Sequence, residues 1–504
     1  MAATRITDSP MTDPQAFNLA HHVLTTGERS PDKLALSILG LSRAERWSFS
    51  RLIAAVRGTG TGLLGAGVKP GDRVLLRIGN RPTFPIAYLG AIAVGIVPVP
   101  TSAMLTGPEI TRIARDIDPA LVIAADGVAL PDHPAPVMPD TALSGFEDLP
   151  PAEWDLGDAD RLAYIIYTSG SSGQPRAVMH AHRAILARQF MFDGWYDLRP
   201  DDRLLHAGAF NWTFTLGTGL LDPWTMGATA LIPADGIAPR QIPLLARRHG
   251  ATIIAAAPGV FRKMLQTDFQ PWPALRHGLA AGERLDPALR REWQARTGTD
   301  LHEAMGMSEC STFLSGSPSR PAPEGTAGYA QSGRKIAVLG DDDQPAPEGV
   351  AGRLAVHAGD PGLFLGYLHQ PEETAARRVG DWFLTGDIAR QDAGGAISML
   401  GRSDDVMNAG GYRVAPNEIE EVVSTLPDAG DVAATEIAVK TGVSVIALFW
   451  TGAASEDALR SRVEENLARY KQPRAYIHLD ALPLTATGKI NRRALREAYA
   501  RDRS

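Results

Sequence analysis

The chain carries one cysteine in 504 residues, Cys310. That excludes an intrachain disulfide framework and fits a reducing compartment. Positive charge is not in excess: 50 Lys and Arg stand against 57 Asp and Glu, giving a formal net charge of −7 and a pI of about 6.0. No basic field suggests nucleic acid or an anionic membrane surface. Long apolar runs are missing too. The most apolar window, 84–99, is interrupted by Gly and Pro and is too short to span a bilayer. The first residues show no basic segment followed by an apolar one, so no secretory signal is expected and the expected location is cytoplasmic. Internal repeats and low-complexity tracts are absent. His180, His182 and His206 lack a metal-ligand spacing and read as structural or near-pocket residues.

What is present is an ordinary globular composition, 44% hydrophobic and 21% charged. A chain of 504 residues exceeds what one core organises, so at least two domains are expected. Residues 1 to about 30 are polar and read as partly frayed. Strand-like runs at 73–77, 96–99, 162–167, 229–232 and 252–255 alternate with helical stretches at 50–56, 182–196 and 244–249. Such alternation argues α/β layers with largely parallel sheets. The run Gly60-Thr61-Gly62-Leu63-Leu64-Gly65 satisfies G-x-G-x-x-G, but a helix precedes it where a dinucleotide fingerprint needs a strand. The glycines read as marking the end of that helix. The Asp-, Pro- and Gly-rich stretch 340–352 reads as a loop between strands, and helices are expected near 417–426 and 455–470.

The densest chemical signal is Tyr167-Thr168-Ser169-Gly170-Ser171-Ser172-Gly173-Gln174-Pro175-Arg176, directly after the 162–167 strand. Small residues let backbone N–H groups approach an anion, hydroxyls donate further bonds, and Arg176 adds a fixed positive charge. This is the chemistry of a polyphosphate loop, although the Walker A spacing is absent.

That loop resembles the phosphate-binding signature of the adenylate-forming superfamily: acyl-CoA and aryl-CoA ligases (benzoate–CoA ligases among them), stand-alone adenylation domains and firefly-type luciferases. Further elements follow in family order. Gly282-Glu283 resembles the adenine-site segment, with Met305 where an aromatic residue often stacks, and Gly306-Met307-Ser308-Glu309 resembles G-x-[TS]-E. Thr385-Gly386-Asp387 matches the ribose-binding T-G-D, and Gly401-Arg402-Ser403-Asp404-Asp405 matches the G-R-x-D-D hinge. Gly410-Gly411-Tyr412-Arg413-Val414 resembles the turn after the hinge, and Pro483-Leu484-Thr485-Ala486-Thr487-Gly488-Lys489-Ile490 the catalytic-lysine loop.

The resemblance implies a large N-terminal domain, 1–403, of layered α/β subdomains plus a β-rich subdomain. A small mobile α+β domain, 404–504, would follow, with Asp404 as hinge. It implies an AMP-forming acid–CoA ligase using ATP, Mg²⁺ and coenzyme A. Lys489 and Arg176 would offset phosphate charge, Glu309 would bind Mg²⁺, and Ser308 would bond a phosphate. Asp387, supported by Arg402, would hold the ribose, and Gly410, Gly411 and Tyr412 would border the pantetheine arm. The acyl pocket corresponds to Phe210-Asn211-Trp212-Thr213-Phe214-Thr215-Leu216-Gly217. No aspartate stands there for a substrate ammonium, which argues against an amino acid. Three aromatics suggest an aromatic or short- to medium-chain acid. Two alternatives stand beside this reading: an adenylation enzyme loading a carrier-protein thiol, and a non-catalytic nucleotide-binding module. The expected partners are the acid, ATP and coenzyme A, with no nucleic acid or membrane, and a homodimer as the candidate assembly. Three positions depart from the family pattern: Arg176 replaces the usual Lys, Ala177 the usual Gly, and Met305 the aromatic. Cys310 reads as a small apolar residue rather than a nucleophile.

Overall fold

The computed structural model describes residues 16–169, 175–270, 272–403, 405, 407–409, 412–414, 416–440, 443–467, 469–485 and 490–501. They form two compact units. The first is Met1–Lys335 with Ala358–Arg378; the second is Ile336–His357 with Val379–Ser504.

The first unit is built on a nine-stranded sheet. From edge to edge its strands are Tyr329–Ala330, Ser311–Ser315, Leu301–Met307, His277–Ala281, Ile253–Ala256, Arg203–His206, Thr229–Pro233, Leu34–Leu39 and Ala44–Ser48. The six central strands run parallel and only the edge pairs are antiparallel. The central strands Ile253–Ala256 and His277–Ala281 are buried along their whole length, as strands covered on both faces must be. A four-stranded parallel sheet, Val97–Pro100, Arg73–Arg77, Leu121–Ala124 and Val137–Pro139, forms a second layer. The hairpin Leu162–Ser169/Pro175–Ala181, joined by Gly366–Tyr367, forms a third sheet.

Several local expectations are corrected. The segment expected to be frayed contains the helix Leu19–Glu28, capped by Asn18, whose side chain accepts from the Ala20 and His21 N–H groups. Burial of Leu19, Val23 and Leu24 holds it in place. The next helix is capped by Ser48, not Ser50, and spans Phe49–Gly65. The G-x-G-x-x-G glycines therefore lie within the helix. A Cβ at Gly60 would come 2.7 Å from Val94, and one at Gly90 would come 2.7 Å from Thr59. The small residues let this helix and Thr83–Ala93 pack closely. The stretch 182–196 is not one helix: Ala184–Arg188 is α-helical, and the turn widens over Phe192–Tyr196. The wider turn lets the adjacent Trp195 and Tyr196 both be buried.

The second unit holds four strands of an antiparallel sheet, Ile336–Leu339, Gly352–His357, Trp382–Gln391 and Ile397–Arg402. The expected 340–352 loop joins the first two. The rest is a hairpin, Val432–Lys440/Val443–Trp450, with Ala475–His478 parallel to its second arm. Helices Pro416–Ser424, Glu456–Asn466 and Arg492–Arg501 accompany it. Asp405 is bound by Arg492 at 3.6 Å and Arg496 at 3.8 Å, which ties the second aspartate of G-R-x-D-D to the last helix.

Candidate active site

Three predicted segments leave the carboxyl ends of parallel strands of one sheet, where open α/β sheets bind ligands. The acyl-pocket segment follows Arg203–His206, Gly282 follows His277–Ala281, and Ser308 follows Leu301–Met307. Sheet order alone gathers them. Gly282 has φ +94°, and a Cβ there would come 2.7 Å from the Trp212 ring. The acyl and adenine segments thus touch through Trp212, and a side chain at 282 would fill the cradle. Glu283 beside it is half-buried. Gly306 allows an equally close approach, since its Cβ would lie 2.4 Å from the Ser311 carbonyl oxygen. Glu303 fastens strand to segment by accepting from the Leu285 N–H at 3.0 Å, and burial pushes its carboxyl up to about 7. Met305 is half-buried on the same strand.

The aromatics of the acyl segment divide. Phe210 is buried and stacks on Phe84 at 5.3 Å. Phe214 packs between Trp195 at 5.8 Å and His206 at 4.4 Å. Both are core. Trp212, edge-on to Phe214, is half-buried, as is Asn211. A Cβ at Gly217 would lie 2.2 Å from the Arg188 guanidinium, so glycine is required there. Arg188 is buried and donates to Asp222 at 2.7 and 2.6 Å and to Ser311 Oγ. It links the acyl segment to the residues just after Glu309.

In the phosphate hairpin, Thr168 is paired in register with Arg176. Ser169 closes the first strand. Arg176 forms an ion pair with Glu373 and lies 5.5 Å from the Tyr367 ring centroid. The same Tyr367 donates its hydroxyl to Glu309 Oε1 at 2.6 Å. Burial and the Glu309 charge both raise the Tyr367 pKa, so it remains a donor. Glu309 is 8% exposed, and one buried carboxylate suits a hard cation that takes its other ligands from phosphate oxygens and water. Among the described residues no cluster of three or more His, Cys, Asp or Glu could hold a metal alone. The Ser308 carbonyl is 2.8 Å from His180 Nε2, and burial lowers the His180 pKa to about 4. A neutral His180 thus steadies the Ser308–Glu309 turn. Burial pushes the Cys310 thiol up to about 12, away from nucleophilic use.

Within the second unit the T-G-D element is rigidly made. Buried Thr385 donates to the Leu354 carbonyl at 3.1 Å and accepts from the Asp387 N–H at 3.1 Å. Gly386 has φ +82°. Arg402, paired in register with Asp387, donates to the Thr385 carbonyl at 3.1 Å and to Asp387 Oδ1 at 3.3 Å. The Asp387 carboxylate is thus held in a fixed orientation beside Arg402. Tyr412 begins the short strand Tyr412–Val414. Gly170, Ser171, Ser172, Gly173, Asp404, Gly410, Gly411 and Lys489 lie outside the described residues.

Sequence reasoning missed Tyr367, Glu373 and Arg188, and read His180 as structural or near-pocket without its partner. No spacing signal could have found them, because Tyr367 is 58 residues from Glu309 and His180 is 128 from Ser308.

The buried Glu309 carboxylate and the Arg176 guanidinium lie in the first unit and the Asp387 carboxylate in the second, all carried by mixed α/β layers. The chain belongs to the AMP-binding enzyme family: residues 23–368 match the AMP-binding enzyme model and 418–489 the AMP-binding enzyme C-terminal domain. It is 27% identical to a 3-hydroxybenzoate–CoA ligase from Aromatoleum sp. (strain CIB), with 89% of this chain and 91% of that protein covered. It is 28% identical to the mitochondrial acyl-coenzyme A synthetase ACSM5 of Mus musculus, covering 96% and 91%. Among solved structures it resembles the anthranilate CoA ligase AuaEII in complex with anthranoyl-AMP, at 25% identity and TM-score 0.83, covering 96% and 98%. No described helix is long and apolar enough to cross a membrane.

Proposed function

We propose that this chain is an AMP-forming acid–CoA ligase acting on an aromatic or short- to medium-chain carboxylic acid. One observation carries the reading: Tyr367 gathers the candidate metal-binding carboxylate of Glu309 at its hydroxyl and the candidate phosphate-binding guanidinium of Arg176 at its ring. The acid carboxylate attacks the α-phosphate of ATP, giving acyl-AMP and pyrophosphate. The thiol of coenzyme A then attacks the acyl carbonyl, giving the thioester and AMP. Both steps develop charge on oxygen, so placed cations and donors supply most of the rate. Glu309 would hold Mg²⁺, which when bound would supply positive charge against the phosphates. Arg176 serves the phosphates, Asp387 with Arg402 fixes the ribose, and Gly282 leaves room for adenine. Lys489 reaches the carboxylate and phosphate oxygens in the first step only. Domain 404–504 turns about Asp404 between steps, and Gly410, Gly411 and Tyr412 then border the pantetheine arm.

The relatives named for hydroxybenzoate and anthranilate support a flat acid lying against Trp212, the half-buried aromatic of its segment. The test is purified protein with ATP, Mg²⁺, coenzyme A and a panel of benzoates and aliphatic acids. The expected outcome is acid-dependent thioester with equimolar AMP. Acid-dependent ATP–pyrophosphate exchange without thioester from free coenzyme A would point to a carrier-protein thiol instead.

A further inference from the structure

Arg176 stands where lysine is usual, and its surroundings give a reason. The guanidinium side chain is 13% exposed and forms an ion pair with Glu373 of the short helix Pro371–Ala376. That helix is fixed to the site: the Tyr367 N–H donates to Thr374 Oγ1 at 3.0 Å, and Thr374 donates to the Gln370 carbonyl at 3.0 Å. The strand Gly366–Tyr367 pairs with the phosphate hairpin, Tyr367 opposite Val178, and the Leu368 N–H donates to the Ala177 carbonyl at 2.9 Å. The backbone that carries Glu373 is therefore fixed beside Arg176 by the Thr374 hydroxyl and by strand pairing, independently of the ion pair itself.

An ammonium is a point charge, and one beside Glu373 would be largely neutralised by it. A planar guanidinium has separate edges and can bind two anions at once. We propose that Glu373 is a positioning residue: it holds one edge of Arg176, against the Tyr367 ring, so that the other edge meets a phosphate of the nucleotide. This rests on the assignment of Arg176 to phosphate binding made above. Glu373 makes arginine, rather than lysine, the working residue at 176.

The test is acid-dependent ATP–pyrophosphate exchange by Arg176→Ala, Arg176→Lys, Glu373→Gln and the Arg176→Lys/Glu373→Gln double variant. Glu373→Gln is expected to raise the KM for ATP about tenfold, the scale of one charge-assisted hydrogen bond, while the KM for the acid is unchanged. In the lysine background the sign reverses. Arg176→Lys alone binds ATP poorly, and adding Glu373→Gln frees the ammonium and improves ATP binding. A purely structural Glu373 would not produce that reversal. No change in the ATP KM, or a change in the same direction in both backgrounds, overturns the proposal. If Arg176→Ala itself leaves the ATP KM unaltered, the phosphate assignment beneath it falls instead.

Discussion

The two units stabilise themselves by different means. The first buries ionic and titratable groups deeply: Arg334 with Asp360, Arg188 with Asp222, and the histidines His180, His182, His206, His277 and His302, with His22 half-buried. The second has smaller cores, such as Ile419, Val423, Leu448 and Val463, and its ion pairs are partly solvated, as in Arg492 with Glu420 and Lys471 with Glu418. Its described histidines are half-buried His357 and exposed His478. Rigid polar burial thus accompanies the unit that carries the hairpin, the acyl segment and Glu309. The second unit, which includes the 404–504 segment expected to turn, carries lighter, more replaceable contacts.

Acid should separate the two most strongly. Burial lowers the pKa of His22, His180, His277 and His302 to about 4, and of His182 and His206 to about 3. Below 6.5 the unfolded chain binds protons that the folded one refuses. Their contribution is therefore whole above about 6.5 and is lost as pH falls toward 4 and 3. A single histidine moved from 6.5 to about 4 represents about 3 kcal/mol. Hydrogen exchange should show Ile253–Ala256 and His277–Ala281 losing protection at a higher pH than Val443–Trp450. The reverse order would break the comparison.

The next largest effect is expected from Arg334→Met, which leaves Asp360 buried and unpaired in the first unit. The expected cost is about 3–5 kcal/mol in urea unfolding, and a loss below about 1 kcal/mol would show that the pair is dispensable. Lys489→Ala probes the second unit. It should slow acyl-adenylate formation about 10²–10³-fold, the scale of one electrostatic contact in a transition state, while sparing thioester formation from supplied acyl-AMP. Equal loss of both half-reactions would contradict a turning domain. Smallest is Trp212→Ala, expected to change kcat/KM for individual acids about tenfold while moving the ATP KM little. An unchanged acid profile would remove Trp212 from the pocket.

Much of the site could be read in the sequence because its motifs are local. Thr385, Gly386 and Asp387 form one short element with a bond of its own, from the Asp387 N–H to Thr385 Oγ1, and Gly282 and Gly306 are glycine for reasons of close approach. The α/β layering was equally legible, since strand and helix periods alternate along the chain. Tertiary contact adds what local pattern does not show. Residues 19–28 of the polar opening segment form a helix because its apolar face is buried. Phe210 and Phe214 turned out to be core because neighbouring rings enclose them.

The sequence by itself determined the order of the motifs, the candidate charges at 176, 309, 387 and 489, and the family. Those depend on residue type and short spacing, which a linear chain displays directly. Only the tertiary structure decided that Tyr367 holds Glu309, that Glu373 holds Arg176, and that Arg188 underlies Gly217. Such pairs are made by strand order and crossover connections, which bring distant residues together without leaving any period or spacing in the chain.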